Sequence, residues 1–149
     1  MPHTFTALTF HIIFSTKGRI AHIDETTQAR LFPYIGGIVR EVGGKALIVN
    51  GTADHVHILA SLPPAANVSD VVRVVKTNSS KWIHETMGKR MFAWQTGYGA
   101  FSVSQSNSDS VREYIAEQAE HHKRRSFQSE FVALLKKHGV GYDERYVWG

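Results

Sequence analysis

The chain has 149 residues, which suits one domain, and a hydrophobic fraction of 42% is enough to build a core of that size. The absence of cysteine excludes disulfides, thiolate metal sites and thiol catalysis, and no apolar run predicts a membrane span or a signal peptide. The absence of cysteine also suits a reducing compartment, so we expect a cytoplasmic protein. Seventeen Lys and Arg against thirteen Asp and Glu give a net charge of +4, which favours binding to polyanions.

Hydrophobic periodicity predicts six elements in the first two thirds of the chain. Period-two alternation indicates strands and 3.6-residue spacing indicates helices. In chain order these are a strand, a helix, two strands, a helix and an aromatic strand: 5–17, 25–42, 45–50, 55–62, 69–86 and 94–103. Pro33 implies a late start or a kink in the first helix. The order predicts an α+β fold of the ferredoxin-like, RRM-like β-α-β-β-α-β type, with an antiparallel sheet that carries both helices on one face.

Additional C-terminal helices follow a polar segment. Residues 102–110 are rich in Ser, Asn and Gln and predict a linker. The pattern from Ser110 to Glu113 is typical of a capping box that opens a helix, which we extend to Arg125. A shorter helix is predicted over 127–138. The prediction is one domain over 1–149, with a core sheet over about 5–104 and a helical tail over about 110–149.

Two histidines on the third strand form the first candidate for chemistry. His55 and His57 are two residues apart, so their imidazoles share a face while Val56 points to the other. The apolar side suits the helices, which leaves both histidines on the face that the six elements do not cover, with His11 of the first strand as a neighbour. Two such imidazoles can hold one divalent ion. An isolated pair of strand histidines is more often incidental.

A tyrosine and a glutamine form the second candidate. Tyr114 and Gln118 are four residues apart, which places them on one face of a helix. A glutamine oxygen can bind a cation, and a tyrosine hydroxyl can be a nucleophile, although packing alone explains an isolated pair. Combined with the histidines, the pair predicts metal-assisted attack on a phosphodiester that yields a phosphotyrosine and a free 3′-hydroxyl. One phosphodiester replaces another, so the reaction needs no nucleotide cofactor.

These motifs together resemble the single-tyrosine transposases of the insertion-sequence 200/605 group, a His-hydrophobic-His superfamily that includes the REP-associated tyrosine transposases. The resemblance covers nearly the whole chain and rests on six segments: 11–17, 54–59, 76–81, 94–102, 114–118 and 121–122. It implies that His55, His57 and Gln118 bind Mg²⁺ or Mn²⁺. It also implies that Tyr114, on the first C-terminal helix, is the catalytic nucleophile.

The resemblance further implies a substrate and an assembly. Members of the group cut and rejoin single-stranded DNA at hairpin-forming element ends, so this protein is expected at the nucleoid when bound to DNA. Members are usually homodimers whose sheets join edge to edge. The tyrosine helix of one subunit can then complete the metal site of the other, and a 102–110 linker would permit that exchange. No membrane partner is implied.

Residues outside the metal site are candidates for binding DNA phosphates. Five basic residues and one acid lie between residues 71 and 90, which favours polyanion binding there. The candidates are polar or basic side chains near the predicted motifs: Lys17, Arg19, Lys76, Ser79, Lys81, His121 and His122. The competing interpretation for each is an ordinary polar surface, and His121 and His122 could also lie near the metal.

Three other functions fit parts of the pattern. A domesticated nuclease that processes genomic hairpins would use nearly the same chemistry. A non-catalytic module could bind single strands on an open sheet face through Trp94, Tyr98 and Phe101. A metal-dependent hydrolase would need carboxylates, and Asp54, the one acid beside the histidines, is expected to point to the opposite face from His55.

Overall fold

A computed structural model describes residues 3–149 and confirms the ferredoxin-like fold. Four strands form one antiparallel sheet in the order β2-β3-β1-β4. The elements are β1 Thr9–Ser15, α1 Glu25–Glu41, β2 Lys45–Gly51, β3 His55–Ser61, α2 Val68–Thr86, β4 Gly99–Val103, α3 Ser108–Ala116, α4 Gln118–His121 and α5 Phe127–Lys137. Short 3-10 turns at Lys17–Arg19 and Gln105–Asn107 follow β1 and β4. No helix of the described chain is long and apolar enough to cross a membrane.

The register of the two central strands decides which residues share a face. Ile13 of β1 lies opposite His57 of β3, and Ser15 lies opposite His55. Directly opposed residues in an antiparallel pair point to the same side. The alternate residues, including Ile12 and Phe14 of β1 and Val56, Ile58 and Ala60 of β3, pack under α1 and α2 in the main core. Both histidines therefore face away from α1 and α2, as the alternation predicts.

The second face of the sheet is covered by the C-terminal helices. Ile115 of α3 packs against Leu59 and Val103. Phe127 and Phe131 of α5 pack in a separate cluster with Ile13, Phe101 and Leu135. The face that the first six elements leave uncovered, on which both histidines lie, is therefore not open, because it is buried beneath α3 to α5. The prediction that aromatic side chains of the sheet bind single strands is also wrong for Phe101 and Trp94, because these side chains are only 4% and 8% exposed.

Helix α1 begins before its proline. Asp24 caps the helix by accepting a 2.8 Å hydrogen bond from the Thr27 amide, and the helix continues through Pro33 to Glu41. The expected late start is wrong, because this N-cap supplies an acceptor for one of the unpaired amides of the first turn. The last strand is shorter than predicted. It begins at Gly99, and Trp94 makes only an isolated bridge to Thr16.

The predicted linker and the helix after it also differ from expectation. Residues 102–110 contain the end of β4, a 3-10 turn and the start of α3 at Ser108, and Ser110 donates its hydroxyl to the Asn107 carbonyl instead of opening the helix. The predicted helix over 110–125 breaks at Glu117 into α3 and α4. Asn50 of β2 donates its amide to the Ile115 carbonyl at 2.9 Å, which satisfies an acceptor at the end of α3.

Candidate active site

Five side chains from four elements meet beneath the sheet. His55 and His57 come from β3, Tyr114 from α3, Gln118 from the start of α4 and Glu130 from α5. His55, His57, Gln118 and Glu130 are all fully buried. Gln118 Oε1 lies 2.9 Å from His55 Nε2. The four residues that the sequence analysis selected are therefore brought together, and they meet within one chain.

Glu130 connects these groups, and the sequence analysis missed it. Its Oε1 lies 3.0 Å from His57 Nε2 and 3.0 Å from His122 Nε2. Its Oε2 accepts hydrogen bonds from the Tyr114 hydroxyl and, at 3.2 Å, from Gln118 Nε2. His122, for which the sequence left open a place near the metal or at a DNA phosphate, is therefore part of this cluster. The available signal was an acid at a buried position of the apolar stripe of α5, where an unpaired carboxylate would be costly.

The two strand histidines have partners on their other ring nitrogens. His55 Nδ1 lies 2.7 Å from Asp54 Oδ1, and His57 Nδ1 lies 2.7 Å from His11 Nε2. His11 is thus the neighbour that the sequence predicted. The expectation that Asp54 points away is wrong, because Asp54 lies in the turn before β3, where strand alternation does not apply. Such outer partners fix the tautomer and orientation of a metal-binding imidazole.

The arrangement of donor atoms fits a divalent cation. One ligand atom from each of His55, His57, His122 and Glu130 lies within 4.8 Å of all the others. If the Asp54 carboxylate holds a proton on His55 Nδ1, then His55 Nε2 presents a lone pair to Gln118 Oε1 and, at 3.5 Å, to Glu130 Oε1. Three electron-pair donors directed at one another favour a cation between them. Imidazole, amide and carboxylate groups are suitable ligands for Mn²⁺ and can also bind Mg²⁺.

Burial sets the protonation of the site. It lowers the pKa of His57 to about 4 and that of His11 to about 3, so both rings are neutral at pH 7, the form that binds a metal. Burial alone would raise the pKa of Glu130, but hydrogen bonds from His122 and His57 outweigh it and hold the pKa well below its usual range. Burial and the Glu130 carboxylate raise the pKa of Tyr114 to about 12, while Arg125, which donates to its hydroxyl at 3.0 Å, opposes that shift.

Comparison with known proteins assigns the family. The sequence profile described as "Transposase IS200 like" matches residues 4–118, which is most of the chain. The chain belongs to the IS200-like transposase family. The family resemblance drawn from the sequence is therefore confirmed, and the protein is a transposase, an enzyme that acts on DNA.

Relatives and solved structures agree with this assignment. The transposases for insertion sequence element IS200 of Salmonella typhimurium (strain LT2) and Salmonella typhi are each 29% identical over 134 residues, which cover 83% of this chain and 84% of theirs. A candidate transposase from Deinococcus radiodurans R1 has a similar fold, with a TM-score of 0.66 at 20% identity over 79% of this chain and 95% of its own. A REP-associated tyrosine transposase bound to a REP hairpin has a TM-score of 0.54 at 16% identity, covering 79% and 68% respectively.

The residues predicted to contact DNA differ in their exposure and in the contacts that they already make within the transposase. Lys17 and Lys81 are exposed and free to meet a phosphate. Arg19 is partly buried and donates to the Trp148 carbonyl at 3.0 Å, so it holds the C-terminal segment. His121 stacks on the Tyr114 ring with centroids 4.5 Å apart, which places it beside the nucleophile candidate.

Two other predicted DNA contacts are structural. Ser79 is fully buried, donates to the Val75 carbonyl at 2.6 Å and accepts from the Trp94 indole, so its predicted phosphate contact does not fit. Lys76 directs its ammonium at the carbonyls of residues 95, 96 and 97 at 2.9, 3.1 and 2.7 Å. Burial lowers the pKa of Lys76 to about 8. Its three donors are used to hold the loop before β4.

We expect Lys76→Met to destabilise the transposase by about 2 kcal/mol, because three carbonyls lose a charged donor. The matched variant Lys81→Met removes an exposed ammonium and should change the free energy of unfolding by less than about 0.5 kcal/mol. Urea unfolding of both variants measures the difference. Equal stability of the two proteins would contradict the anchoring role of Lys76.

A second expected result concerns the carboxylate beneath the sheet. Glu130→Gln removes the charge shared by His57, His122 and Tyr114 and should lower the free energy of unfolding in EDTA by about 3 kcal/mol. Glu120→Gln is the control, because its exposed ion pair with Lys123 should contribute less than about 1 kcal/mol. A Glu130→Gln protein as stable as the control would show that this network does not support the fold.

Proposed function

We propose that this transposase cuts and rejoins single-stranded DNA through a covalent 5′-phosphotyrosine on Tyr114, with a divalent ion, Mg²⁺ or Mn²⁺, bound at His55, His57 and Gln118. The observation that carries the proposal is the meeting of the Tyr114 hydroxyl with the buried imidazoles, amide and carboxylate in one cluster. We add Glu130 to the predicted ligands, since its Oε1 lies among the imidazole nitrogens.

The metal ion, Tyr114 and Glu130 would have different roles in the proposed cleavage reaction. A bound divalent ion would act as a Lewis acid on the phosphodiester oxygens. Tyr114 would attack phosphorus, forming a bond from Oη to phosphorus while the bond from phosphorus to O3′ breaks. Glu130 Oε2 already accepts the hydrogen bond of the Tyr114 hydroxyl, so it is the nearest acceptor for that proton, and its low pKa lets it pass the proton on to water. The departing O3′ lies on the opposite side of phosphorus and takes its proton from water.

Arg125 supports the attack of Tyr114 on phosphorus. The Arg125 guanidinium donates to the Tyr114 hydroxyl at 3.0 Å, where negative charge develops as the proton leaves. Rejoining is the reverse reaction, in which a 3′-hydroxyl of another strand attacks the phosphotyrosine. The bonds broken and formed are of one type, so the cycle needs no external energy source.

We further propose hairpin-forming element ends as the substrate, which places the protein at the nucleoid when it works. Support comes from the similar fold of the transposase bound to a REP hairpin. A homodimer remains a prediction, and the meeting of all five side chains within one chain allows a complete site in a single subunit. Sedimentation with and without hairpin DNA would measure the assembly.

The test uses oligonucleotides that carry the palindromes flanking the coding sequence of this chain. We expect a covalent protein–DNA adduct on denaturing gels with Mn²⁺ or Mg²⁺ and none with EDTA. Peptide mapping should place the nucleotide on Tyr114. A nuclease that releases free 5′-phosphate ends without any adduct would contradict the proposal. Paired terminal palindromes in the genomic flanks would favour transposition over domesticated hairpin processing.

A further inference from the structure

A cavity of about 670 Å³ opens beside the proposed nucleophile. It lies between the end of β4, the start of α3 and the end of α5, and Tyr114 and His11 are in its wall. The volume is within the range of about 300–1,000 Å³ that is typical of small-molecule sites. The cavity is separate from the cluster of metal-ligand candidates, since none of His55, His57 or Glu130 lines it.

The walls of the cavity combine apolar and hydrogen-bonding surface. Val103, Val111 and Leu134 supply apolar contact, while Ser102 and Asn107 supply polar groups at the rim. A nucleobase needs both, because its faces are apolar and its edges carry donors and acceptors.

The charges around the cavity favour an anion. Its thirteen lining residues include the cations Arg125 and Lys137 and no carboxylate. His138, also in the wall, stacks on Phe101 with ring centroids 4.4 Å apart and an interplanar angle of 13°. Phe101 is buried and supports the exposed His138 ring, which presents an aromatic face at the cavity, and such faces stack bases of single strands.

A second depression shares Tyr114 and Arg125 with the cavity. Its other lining residues are His121 and Arg124, together with the acid Glu120. A strand with one nucleotide in the cavity can therefore carry its next phosphate past the Tyr114 hydroxyl to these basic side chains. That path leads from a base site, across the nucleophile, to a phosphate site.

We propose that the cavity binds one unpaired nucleotide of the single strand next to the phosphate that Tyr114 attacks. The base lies between the apolar wall and the His138 ring, and Lys137 contacts its phosphate, while Arg125, on the border of the two depressions, faces the phosphate that Tyr114 attacks. This subsite selects the register of the strand at the cleavage point. This inference rests on the proposed function. The subsite would fix a position of the substrate that the metal site alone does not define.

The probe is the same palindromic hairpin with ten-nucleotide unpaired tails, measured for binding in EDTA so that cleavage does not interfere. Each tail position is replaced in turn by an abasic nucleotide. We expect one position to weaken binding about tenfold, the loss typical of one stacked base, and the others to have little effect. Free deoxynucleoside monophosphate should compete only weakly if the strand is the true ligand.

The protein variant that fills the cavity is Ala133→Trp, with Gln128→Trp as the control on the same helix but outside the cavity. We expect Ala133→Trp to bind the intact probe about tenfold more weakly and to lose all sensitivity to the abasic position. If Ala133→Trp fails to fold, Lys137→Ala against Lys136→Ala gives the same comparison for the phosphate.

Two outcomes separate this proposal from the proposed function. Adduct formation without any sensitive tail position, an unchanged sensitivity in Ala133→Trp, or Lys137→Ala binding the intact probe as tightly as Lys136→Ala does, would overturn the subsite alone. A sensitive position that Ala133→Trp abolishes, in a protein that never forms an adduct, would support the subsite and refute the tyrosine chemistry.

Discussion

We expect the Tyr114→Phe protein to form no detectable covalent adduct with hairpin DNA, a loss of at least about a thousandfold. The change removes the hydroxyl oxygen that the proposed mechanism joins to phosphorus and keeps the aromatic ring. The ring should still stack on His121, so folding and DNA binding should be largely preserved. The lost hydrogen bond to Glu130 should cost only about 1–2 kcal/mol of stability. Adduct yield on denaturing gels, with thermal unfolding in parallel, measures both effects.

The control for this variant is Tyr146→Phe, since Tyr146 is 71% exposed and is not among the metal-ligand candidates or their partners. It should form the adduct at the wild-type rate. Undiminished adduct formation by Tyr114→Phe would rule out the nucleophile, and peptide mapping would then identify the residue that replaces it.

Removal of a central imidazole should have the second largest effect. We expect His57→Ala to lower metal-dependent adduct formation by at least about a hundredfold, because even loss of an outer partner of a metal ligand costs about ten- to a hundredfold. Mn²⁺ titration by calorimetry should show binding in the wild type and much weaker binding in the variant. Thermal unfolding is needed beside it, since the ring is fully buried and its loss leaves a cavity.

His84→Ala is the matched histidine control. His84 lies on α2, where its Nε2 is 2.7 Å from the Phe92 carbonyl on the other side of the sheet. It should bind Mn²⁺ and cleave DNA as the wild type does. If His57→Ala retained Mn²⁺-stimulated cleavage, the metal would have to bind elsewhere.

The sequence was sufficient for the parts of the site that depend on local periodicity. Alternation along β3 placed His55 and His57 on one face. Tyr114 and Gln118, expected on one continuous helix, do meet at Glu130 Oε2, although the helix breaks between them at Glu117. The sheet order followed from the succession of elements, because few topologies satisfy the rules for connecting strands and helices.

Glu130 could not be found in this way. Its contact with His57 depends on how α5 lies across the sheet, which is set by packing of Phe127 and Phe131 against Ile13 and Phe101. Periodicity identifies the buried stripe of a helix but not the residues it will meet. Lys76 and Ser79 show the same limit, since a polar residue on an amphipathic helix can serve a loop or the core as well as a ligand.

The break at Glu117 has a mechanical consequence. Tyr114 and Gln118 belong to different helices, with a joint between them and the Asn50 amide holding the end of the first. An uninterrupted helix would move both residues as one rigid arm. If Tyr114 becomes joined to a DNA strand as proposed, the break is the point at which α3 could turn while Gln118 stays 2.9 Å from His55, so strand exchange would not require the proposed metal ligands to separate.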